Sequence, residues 1–414
     1  MSEDHGSASQ YDVAVIGAGP AGTVTAALLE ASGLDVAIFE RSRFPRFSIG
    51  ESLLPACNDI LREAKLFDVV AAQGYQVKTG AVFIRGDERC EFDFANQFGG
   101  GTAWTWQVPR ADFDQVLAEA VRDRGVPIFF ERTVTGVEIG PAPRLTVRAA
   151  DASCHQIGAR FIVDASGFGR TLPRLLDLEV PSDQPVRQAM YTHVRGDRRP
   201  EGPNGGRIFV MIHRPDVWIW IIPFSDGRTS VGVVAPPEWF ASLPSDPTTR
   251  LRAAIEVDAA SHQRLAEAEF LFEPHSTIGY SSSATRLSGE GYCLVGNATE
   301  FLDPVFSSGV TLALASASLA SGAIIRQLAG ESVDWQSDYS DTMARGIDTF
   351  RTFVNAWYDG SFHEVCFAHS ASDQLKAMIC AALAGYVWDL ENPFVRAPRR
   401  KLRQLLRIIR ARAD

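Results

Sequence analysis

The sequence predicts an α/β protein with a Rossmann-like dinucleotide-binding domain, a mixed-sheet domain inserted into it, and a helical C-terminal region. Three observations predict this arrangement. A glycine-rich loop between an apolar strand and a helix opens the chain, strand-like runs fill its middle, and its last part has helical periodicity. We expect residues 1–185 and 286–330 to form the dinucleotide-binding domain, 186–285 the inserted sheet and 331–414 the helical region. At 414 residues, 46% of them apolar, the chain can bury such a core.

The glycine-rich loop follows an apolar run at residues 13–16, which is typical of a buried parallel strand. Its residues are Gly17, Gly19, Pro20, Ala21 and Gly22, in the pattern G-x-G-x-x-G. The first glycine permits the turn, the second lets the backbone approach a pyrophosphate, and the third lets the helix pack close to the strand. The pattern predicts a dinucleotide whose phosphates lie at the helix N-terminus; a chance glycine turn is the alternative.

A second apolar run, residues 36–39, ends at Glu40 and Arg41. The acid that accepts the ribose hydroxyls is expected roughly 20 residues after the first glycine, which is close to the position of Glu40. Strand, loop, helix, strand and acid therefore fall in the required order. This order favours a dinucleotide site over a chance turn.

The chain then alternates between short elements. We expect a helix from about Ser52 to Leu61, a hairpin over 80–94, a helix over 112–124, and strands at 129–139, 145–147 and 161–163. Four strand-like runs follow between residues 186 and 236, namely QAMYTHVR, RIFVMIH, VWIWIIPF and TSVGVVA. A further strand at 292–295 leads to a small-residue helix at 310–328, and residues 335–390 are helical and rich in aromatic side chains.

Composition excludes several classes of protein. The net charge of −10 argues against a nucleic-acid binder. We find no run of about 18 or more uncharged apolar residues, and residues 1–10 lack the character of a signal peptide. The six cysteines are scattered, without the spacing of a zinc site. We therefore expect a cytosolic protein with reduced thiols, no metal site and no membrane span.

Four segments, in their order, resemble the flavin monooxygenase superfamily. They are GAGPAG with Glu40, VPRADFD around Arg110, VDASG at Asp164, and GNATEFLDPVFSSG at 296–309. The resemblance implies a GR2-type domain that binds FAD. It places Arg110 beside the flavin phosphates or ribose, and adds to the cofactor site Asp164, Gly296, Asp303, Pro304 and Gly309. For Arg110, a surface ion pair is the alternative.

The superfamily's hydroxylases carry a DG fingerprint that helps to hold both FAD and NADPH. This chain has Asp-Ala-Ser-Gly at 164–167, and the sequence contains no second G-x-G-x-x-G. We therefore expect the flavin to be reduced by a separate flavin reductase and to arrive as FADH2.

Trp218, Trp220 and Pro223 match W-x-W-x-I-P, so the chain resembles the flavin-dependent halogenases. In that family the motif keeps substrate away from the flavin peroxide. A buried strand with two aromatic residues on one face is the alternative. The segment FSIGESLLP at 47–55 and the segment 296–310 resemble the same family.

The resemblance implies the chemistry as well. Molecular oxygen and FADH2 give a flavin hydroperoxide, which oxidises chloride or bromide to hypohalous acid. The halide lies at Ser308 and Gly309, where successive backbone N–H groups form an anion cradle. Lys78 then delivers the electrophilic halogen to the substrate. An ordinary surface lysine is the alternative for Lys78.

One departure bears on the substrate. Tryptophan halogenases have a glutamate two residues before the halide-binding residue, where this chain has Phe306. An electron-rich pyrrole or phenol needs less help than an unactivated indole position. The resemblance favours the pyoluteorin-type enzymes that halogenate pyrrolyl groups on an acyl or peptidyl carrier protein. Trp357, Tyr358 and Phe362 are candidates to roof the substrate pocket, with plain core as the alternative.

The C-terminal tail supplies an independent indication of a partner. Leucines and isoleucines at helical spacing predict an amphipathic helix. Its cations, with one just before it, are Arg396, Arg399, Arg400, Lys401, Arg403, Arg407, Arg410 and Arg412. A cationic face can steer an acidic carrier protein; a solvated helix face and a membrane-surface helix are the alternatives.

Two rival functions share parts of this pattern. A flavin hydroxylase or geranylgeranyl-reductase-like enzyme needs the glycine loop and Glu40, but neither Lys78 nor the tryptophan motif. An FAD-bound redox sensor or scaffold needs no small-molecule substrate at all.

Overall fold

The structure is a computed structural model that describes residues 9–182, 184–368 and 372–413. Residues 1–8, on which most of the expectation of a chain without a signal peptide rests, lie outside the described residues.

The described residues form twenty strands. In chain order they are β1 (Ser9–Ile16), β2 (Val36–Glu40), β3 (Gln76–Lys78), β4 (Gly80–Arg85), β5 (Glu88–Asp93), β6 (Thr105–Gln107), β7 (Ile128–Phe130), β8 (Thr133–Glu138), β9 (Arg144–Arg148), β10 (Cys154–Asp164), β11 (Glu179–Val180), β12 (Gln188–Arg195), β13 (Ile208–Arg214), β14 (Val217–Pro223), β15 (Thr229–Ala235), β16 (Glu269–Phe270), β17 (His275–Ile278), β18 (Ser283–Ala284), β19 (Ser288–Gly289) and β20 (Tyr292–Leu294).

The same residues form fourteen α-helices. They are α1 (Pro20–Ala31), α2 (Ala56–Glu63), α3 (Phe67–Ala71), α4 (Arg110–Asp123), α5 (Thr171–Leu175), α6 (Pro237–Ala241), α7 (Pro247–Glu256), α8 (Ala259–Leu265), α9 (Ser308–Leu328), α10 (Asp341–Tyr358), α11 (Ser361–Phe367), α12 (Asp373–Leu383), α13 (Pro393–Arg396) and α14 (Pro398–Ala413). Short 3₁₀ helices at Gly296–Ala298 and Pro304–Phe306 precede α9.

The first sheet has the order β19-β20-β10-β1-β2-β7, with β9 and β8 added beside β10. Strand β1 runs parallel to both β10 and β2, so Ile16 lies opposite Asp164 and Phe39. Leu294 at the end of β20 lies opposite Asp164 as well. Because these parallel strands end at one edge, the loops that follow them meet there, where α/β folds bind their ligands.

Helix α9, predicted over 310–328, begins two residues earlier and packs against α1. It is long and apolar enough to cross a membrane by length and composition, with a mean hydropathy of 1.6, but 67% of that stretch is buried inside the protein. The helix is rich in alanine, which is apolar enough to raise the mean hydropathy and small enough to pack closely. Ala317 and Ala320 are fully buried in the core under the first sheet. Helix α9 is therefore a core helix of this fold.

The second sheet has the order β16-β12-β15-β14-β13-β4-β5, with β17 also paired to β12. The four strands predicted between residues 186 and 236 are confirmed as β12 to β15. The predicted hairpin over 80–94 is confirmed as β4 and β5, and β4 runs parallel to β13 in this sheet. The strands alternate, since Trp218 and Trp220 face the helical region while Ile219 and Ile221 face α7.

The predicted fold class is confirmed: a Rossmann-like α/β domain, a second mixed sheet and a helical C-terminal region. The boundaries between domains stay a prediction. The predicted helix near Ser52 begins later, at Ala56, because Ser52 pairs with Gln107 and Leu53 donates its N–H to the Trp106 carbonyl at 3.1 Å. Pairing to β6 holds residues 52 and 53 extended.

Candidate functional site

A cavity of about 690 Å³ lies where the strand ends of the first sheet meet the second sheet. Its size is in the range of cofactor and ligand sites. The predicted site residues that line it are Gly17, Gly19, Pro20, Ala21, Glu40, Arg41, Arg110, Trp218, Trp220, Gly296, Pro304 and Gly309. The predicted residues that lie outside its lining are Gly22, Lys78, Asp164, Pro223, Asp303, Phe306, Ser308 and Trp357.

The glycine loop has the geometry that its pattern predicts. Gly17 has φ +99°, and a Cβ there would lie 2.7 Å from the Ala165 carbonyl oxygen. A Cβ at Gly22 would lie 1.9 Å from the Gly17 carbonyl oxygen, so α1 can approach β1 only with glycine there. Helix α1 has neither a side-chain cap nor an acid in its first turn. Its N-terminus is therefore open to an anion in the cavity.

Glu40 lies at the end of β2 and is 5% exposed. Its Oε2 accepts the Ala18 N–H and its Oε1 accepts the Ser42 N–H, each at 2.9 Å. The carboxylate thus ties the glycine loop to the loop after β2. Each oxygen keeps a further acceptor site, which suits a ribose hydroxyl.

Arg110, the first residue of α4, forms a buried ion pair with Asp114 through Nε at 2.7 Å and Nη2 at 3.0 Å. Its Nη1 donates to the Ile49 carbonyl at 2.8 Å. The alternative of a surface ion pair is wrong, because Arg110 is buried and faces the cavity. Arg110 holds the loop that contains Gly50 against the cavity.

Asp164 lies behind the cavity wall and is fully buried. Its Oδ1 accepts the Ser166 N–H at 2.8 Å and its Oδ2 the Leu172 N–H at 2.6 Å. Burial raises the pKa of this carboxyl group above its usual value. Asp164 shapes the loop at 165–169, which lines the cavity, and we place it as support for that loop.

The predicted halide segment lies at the N-terminus of α9. Ser307 has φ 56°, and α9 begins at Ser308 without a side-chain cap. Gly309 lines the cavity, and a Cβ there would lie 3.0 Å from the Phe301 ring. Gly296, at φ +61°, lets the preceding loop pass close to α1. The free N–H groups and the helix dipole favour an anion at this end of the cavity.

Asp303 has a carboxylate that turns away from the cavity. Its Oδ1 accepts the Val305 N–H at 3.0 Å, and its Oδ2 accepts the hydroxyls of Tyr358 at 2.8 Å and Tyr280 at 3.3 Å. Burial raises the pKa of Asp303 to about 6. The tyrosine pair was not predicted, because the three residues are far apart in the chain. Only Pro304 of the predicted Asp-Pro pair lines the cavity.

Trp218 and Trp220 both line the cavity from one face of β14. The Trp218 indole donates to the Tyr358 hydroxyl at 3.2 Å, and the Trp220 indole to Ser230 Oγ at 3.1 Å. Gly232 lies opposite Trp220 on β15, where a Cβ would come within 2.2 Å of the indole. The two rings therefore form a fixed wall. Pro223 is the last residue of β14, and its carbonyl accepts a hydrogen bond from the side-chain amide of Gln107 at 2.9 Å.

Phe306 and Trp357 lie in an aromatic cluster under the second sheet. Their ring centroids are 5.9 Å apart, and the Phe362 ring lies 5.3 Å from Phe306. The Trp357 indole N–H has no hydrogen-bond acceptor among the described residues. The structure therefore places both residues in the core, and their role beside a substrate stays a prediction.

Lys78 is 1% exposed, so the alternative of a surface lysine is wrong. Its Nζ donates to the Leu53 carbonyl at 2.8 Å and lies 5.4 Å from the centroid of the Phe94 ring. Within the described part of the chain it has no carboxylate partner. Burial lowers its pKa to about 7. Glu51 and Ser52 line the cavity and Leu53 does not, so Lys78 is bound to the residue that directly follows this part of the cavity wall.

A second buried pair in the same wall was not predicted. Glu51 Oε1 lies 2.7 Å from His193 Nε2, and both side chains are buried. Glu51 Oε2 is buried without a partner among the described residues. Glu51 belongs to the segment FSIGESLLP, but its partner on β12 is 142 positions away, and no sequence signal joins them. The same residues contain no group of three or more His, Cys, Asp or Glu that could hold a metal ion.

FAD fits this cavity, because the cavity wall offers a glycine loop, an uncapped helix N-terminus and an acid with free acceptor sites. The family model described as an FAD binding domain matches residues 10–346. A solved structure from Cytophaga hutchinsonii, described as a flavoprotein/dehydrogenase, is 47% identical. It aligns with a TM-score of 0.95 over 98% of this chain and 100% of that chain.

Two curated relatives are halogenases. The 1H-pyrrole-2-carbonyl-(peptidyl-carrier protein) chlorinase of Pseudomonas fluorescens is 28% identical over 84% of this chain and 83% of the relative. The corresponding brominase of Pseudoalteromonas luteoviolacea is 30% identical over 80% of each protein. On these matches, together with the cavity and its tryptophan wall, the chain belongs to the flavin-dependent halogenases, FAD-dependent oxidoreductases that use a halide and molecular oxygen.

Proposed function

We propose that this halogenase chlorinates or brominates an electron-rich ring, a pyrrole carried as an acyl group on a carrier protein. The observation that supports this most is the position of Lys78 relative to the cofactor cavity. The start of α9 lines that cavity through Ser307 and Gly309, whereas the buried Lys78 lies outside the lining and donates to the Leu53 carbonyl. The ring would react at Lys78, separate from the cofactor.

Each part of the site has a role in this proposal. Reduced FAD, with oxygen, supplies the oxidation of halide to hypohalous acid when it is bound. The N–H groups of Ser308 and Gly309 hold the halide. Trp218 and Trp220 exclude the substrate ring from the cofactor. Lys78 holds hypohalous acid at its amine and directs the halogen to the ring carbon.

The state of Lys78 suits that role. A lone buried amine with a pKa of about 7 is partly neutral at physiological pH, so it can accept as well as donate a hydrogen bond. Phe306 provides no carboxylate to polarise the acid or to take the ring proton. This favours a ring that needs little activation, such as pyrrole.

Two observations support the proposal that the substrate is attached to a carrier protein. Both curated relatives are named for a pyrrole carried on a peptidyl-carrier protein. Helix α14 buries its apolar face, with Leu402, Leu405 and Leu406 in the core of the helical region. It has seven cations and no acid on a chain of net charge −10.

The outer face of α14 would dock the acidic carrier. Arg410 pairs with Glu364 and Arg399 with Asp348, each within 2.8 Å. Arg400, Arg403 and Arg407 form no ion pair within the described residues, which leaves them available. We also propose that FADH2 comes from a separate flavin reductase and that the reaction takes place in the cytosol.

The test is intact-mass analysis of a pyrrolyl-loaded carrier protein. The reaction contains the enzyme, FAD, a flavin reductase, NADPH, oxygen and either chloride or bromide. We expect a mass gain with the isotope pattern of the added halogen, and none without halide. A charge-reversal variant, Arg400→Glu with Arg403→Glu and Arg407→Glu, should slow this reaction but not the halogenation of a free phenol. An equal rate on the carrier would show that α14 is not the docking face.

A dehydrogenase or reductase is the second candidate, because the 47% identical structure from Cytophaga hutchinsonii is described as a flavoprotein/dehydrogenase. Such an enzyme would turn over without halide. Flavin oxidation coupled to reduction or hydroxylation of a substrate, at a rate independent of chloride and bromide, would replace the halogenase proposal.

A further inference from the structure

Glu51 is a carboxylate in the cofactor cavity with a free oxygen. The described acids that line the cavity are Glu40 and Glu51. Both oxygens of Glu40 already accept main-chain N–H groups, whereas Glu51 Oε2 has no partner and is buried. An unpaired buried carboxylate oxygen is costly, so its presence on a cavity wall indicates that a ligand or a proton uses it.

The backbone and the neighbouring rings fix this pair. The Glu51 carbonyl accepts the Val108 N–H at 2.8 Å, which ties the residue to the end of β6. The His193 imidazole lies among the rings of Phe47, Phe224 and Phe272, with centroids 5.2 to 5.7 Å away. A 2.7 Å contact between a carboxylate and an imidazole in such surroundings can hold one shared proton.

The proposed function requires a proton at this place. When reduced FAD and oxygen oxidise one halide ion, the balance is FADH2 + O2 + X⁻ + H⁺ giving FAD + HOX + H2O. One proton must enter the cofactor cavity in each turnover. Lys78 is not placed to supply it, because its amine lies outside the cavity lining and donates to the Leu53 carbonyl.

We propose that the Glu51–His193 pair donates this proton. The bond between the proton and Glu51 Oε2 would break, and a new O–H bond would form on the oxygen that leaves as water. The Glu51 carboxylate would then take the proton of His193 Nε2 at its Oε1, and the imidazole would be protonated again from solvent, so that one proton enters in each turnover. The inference rests on the proposed function, and it assigns the pair to halide oxidation and Lys78 to halogen transfer.

The groups around the pair also titrate or carry charge, and a pH profile must account for them. Tyr191 and Asp226 interact electrostatically with Glu51 and His193, respectively, and His275 shares the Phe47 ring with His193. Further charges are Arg228, paired with Asp226, and Arg110, whose Nη1 lies 3.4 Å from the Gly50 carbonyl.

The experiment separates halide oxidation from ring halogenation. Chemically reduced FAD, oxygen and bromide are mixed with enzyme and the free hypohalous-acid trap monochlorodimedone. Glu51→Gln should bind FAD within about threefold of the wild type but lose at least tenfold in hypobromous acid per flavin oxidised, with hydrogen peroxide in its place. The exposed His262→Gln serves as the control and should oxidise bromide like the wild type.

A second variant and a second readout keep the test decisive if Glu51→Gln folds poorly. His193→Gln keeps a donor to Glu51 but cannot pass a proton to it, so its rate of bromide oxidation should fall more steeply with rising pH than that of the wild type. FAD binding is also measured by calorimetry in two buffers of different ionisation enthalpy. If the pair donates a proton to the reaction on the bound cofactor, the wild type should take up a fraction of a proton when FAD binds, and Glu51→Gln should take up none.

Bromide oxidation by Glu51→Gln and His193→Gln at the wild-type rate and pH profile would overturn the inference while leaving the proposed function intact. A large loss of FAD affinity in Glu51→Gln would show that the residue binds the cofactor instead. If the wild type itself forms no hypohalous acid, the proposed function fails and this inference with it.

Discussion

Apart from Glu51, the buried charged groups on the cavity side of residues 51–53 and the amine of Lys78, outside the cavity lining, are held in opposite ways. On the cofactor side, Glu40, Arg110 and Asp164 are each held by at least two hydrogen bonds, which fixes them in one place. On the other side, Lys78 has a single carbonyl acceptor and no acid in the described residues. Satisfied groups build a rigid cradle, whereas Lys78 and the cavity-lining Glu51, whose Oε2 has no partner among the described residues, are under-compensated. The comparison separates the groups that position the cofactor from the groups that we propose to react.

The largest expected effect comes from removing the reactive amine. We expect Lys78→Met to lower ring halogenation by about a hundredfold or more, the scale of a positioned proton-transfer group. FAD affinity should not change, because Lys78 lies outside the cavity lining. Product mass and FAD fluorescence measure the two effects, with the exposed Lys376→Met as the control. An equal loss of FAD binding would remove the distinction between the two sides.

The same variant tests the charge state of Lys78. Its pKa falls from 10.5 unfolded to about 7 folded, so the unfolded chain binds more protons between these values. Stability of the wild type should therefore rise with pH across that window. Lys78→Met should lack this rise and be more stable near pH 7. Urea unfolding at pH 7 and pH 9.5 measures this change in the free energy of unfolding. The same change in both proteins would show that Lys78 is not desolvated.

The two sides also differed in how far sequence could predict them. Gly17, Gly22 and Glu40 lie within one strand-loop-helix-strand unit, so their spacing alone predicts that they meet at one edge of the first sheet. Lys78 meets the Leu53 carbonyl only because β3 and residues 52 and 53 both pair with β6. The network of Asp303, Tyr280 and Tyr358 joins segments from three parts of the chain. Spacing has no information on such contacts, and only the fold brings them together.

On the cofactor side, loss of a main-chain acceptor should weaken binding rather than chemistry. Glu40→Gln leaves either the Ala18 or the Ser42 N–H without a carboxylate, and a hydrogen bond to a charged group contributes about 1.5–3 kcal/mol. We expect FAD affinity to fall by about tenfold to a hundredfold. Halogenation at saturating FAD should be nearly normal. Equilibrium dialysis against the exposed Glu290→Gln control measures the change.

The halide end of the cavity offers a matched pair of variants within one helix. A Cβ at Gly309 would lie 3.0 Å from the Phe301 ring, whereas a Cβ at Gly322 would meet nothing within 4 Å. We expect Gly309→Ala to raise the KM for bromide by about fivefold to tenfold, the scale of one weakened hydrogen bond. Gly322→Ala should not change it. Equal KM values in both variants would place the halide elsewhere.

The smallest expected effect on halogenation comes from Tyr358, which links the halide loop to the tryptophan wall. Tyr358 donates to Asp303 in the halide loop and accepts from Trp218 in the tryptophan wall. Tyr358→Phe removes both contacts and should cost about 1–3 kcal/mol of stability while slowing halogenation only a few fold.

The pH dependence of that cost distinguishes a structural link from simple packing. The folded pKa of Asp303, about 6, lies above the unfolded value of 3.8, so its neutral form favours folding at low pH and this contribution is lost as pH rises through 6. The Tyr358 hydroxyl stabilises the ionised form. Tyr358→Phe should therefore destabilise the protein more at pH 7.5 than at pH 5, and Tyr280→Phe, with a 3.3 Å contact, should do so less. Equal losses at both pH values would mean that Tyr358 supports the wall by packing alone.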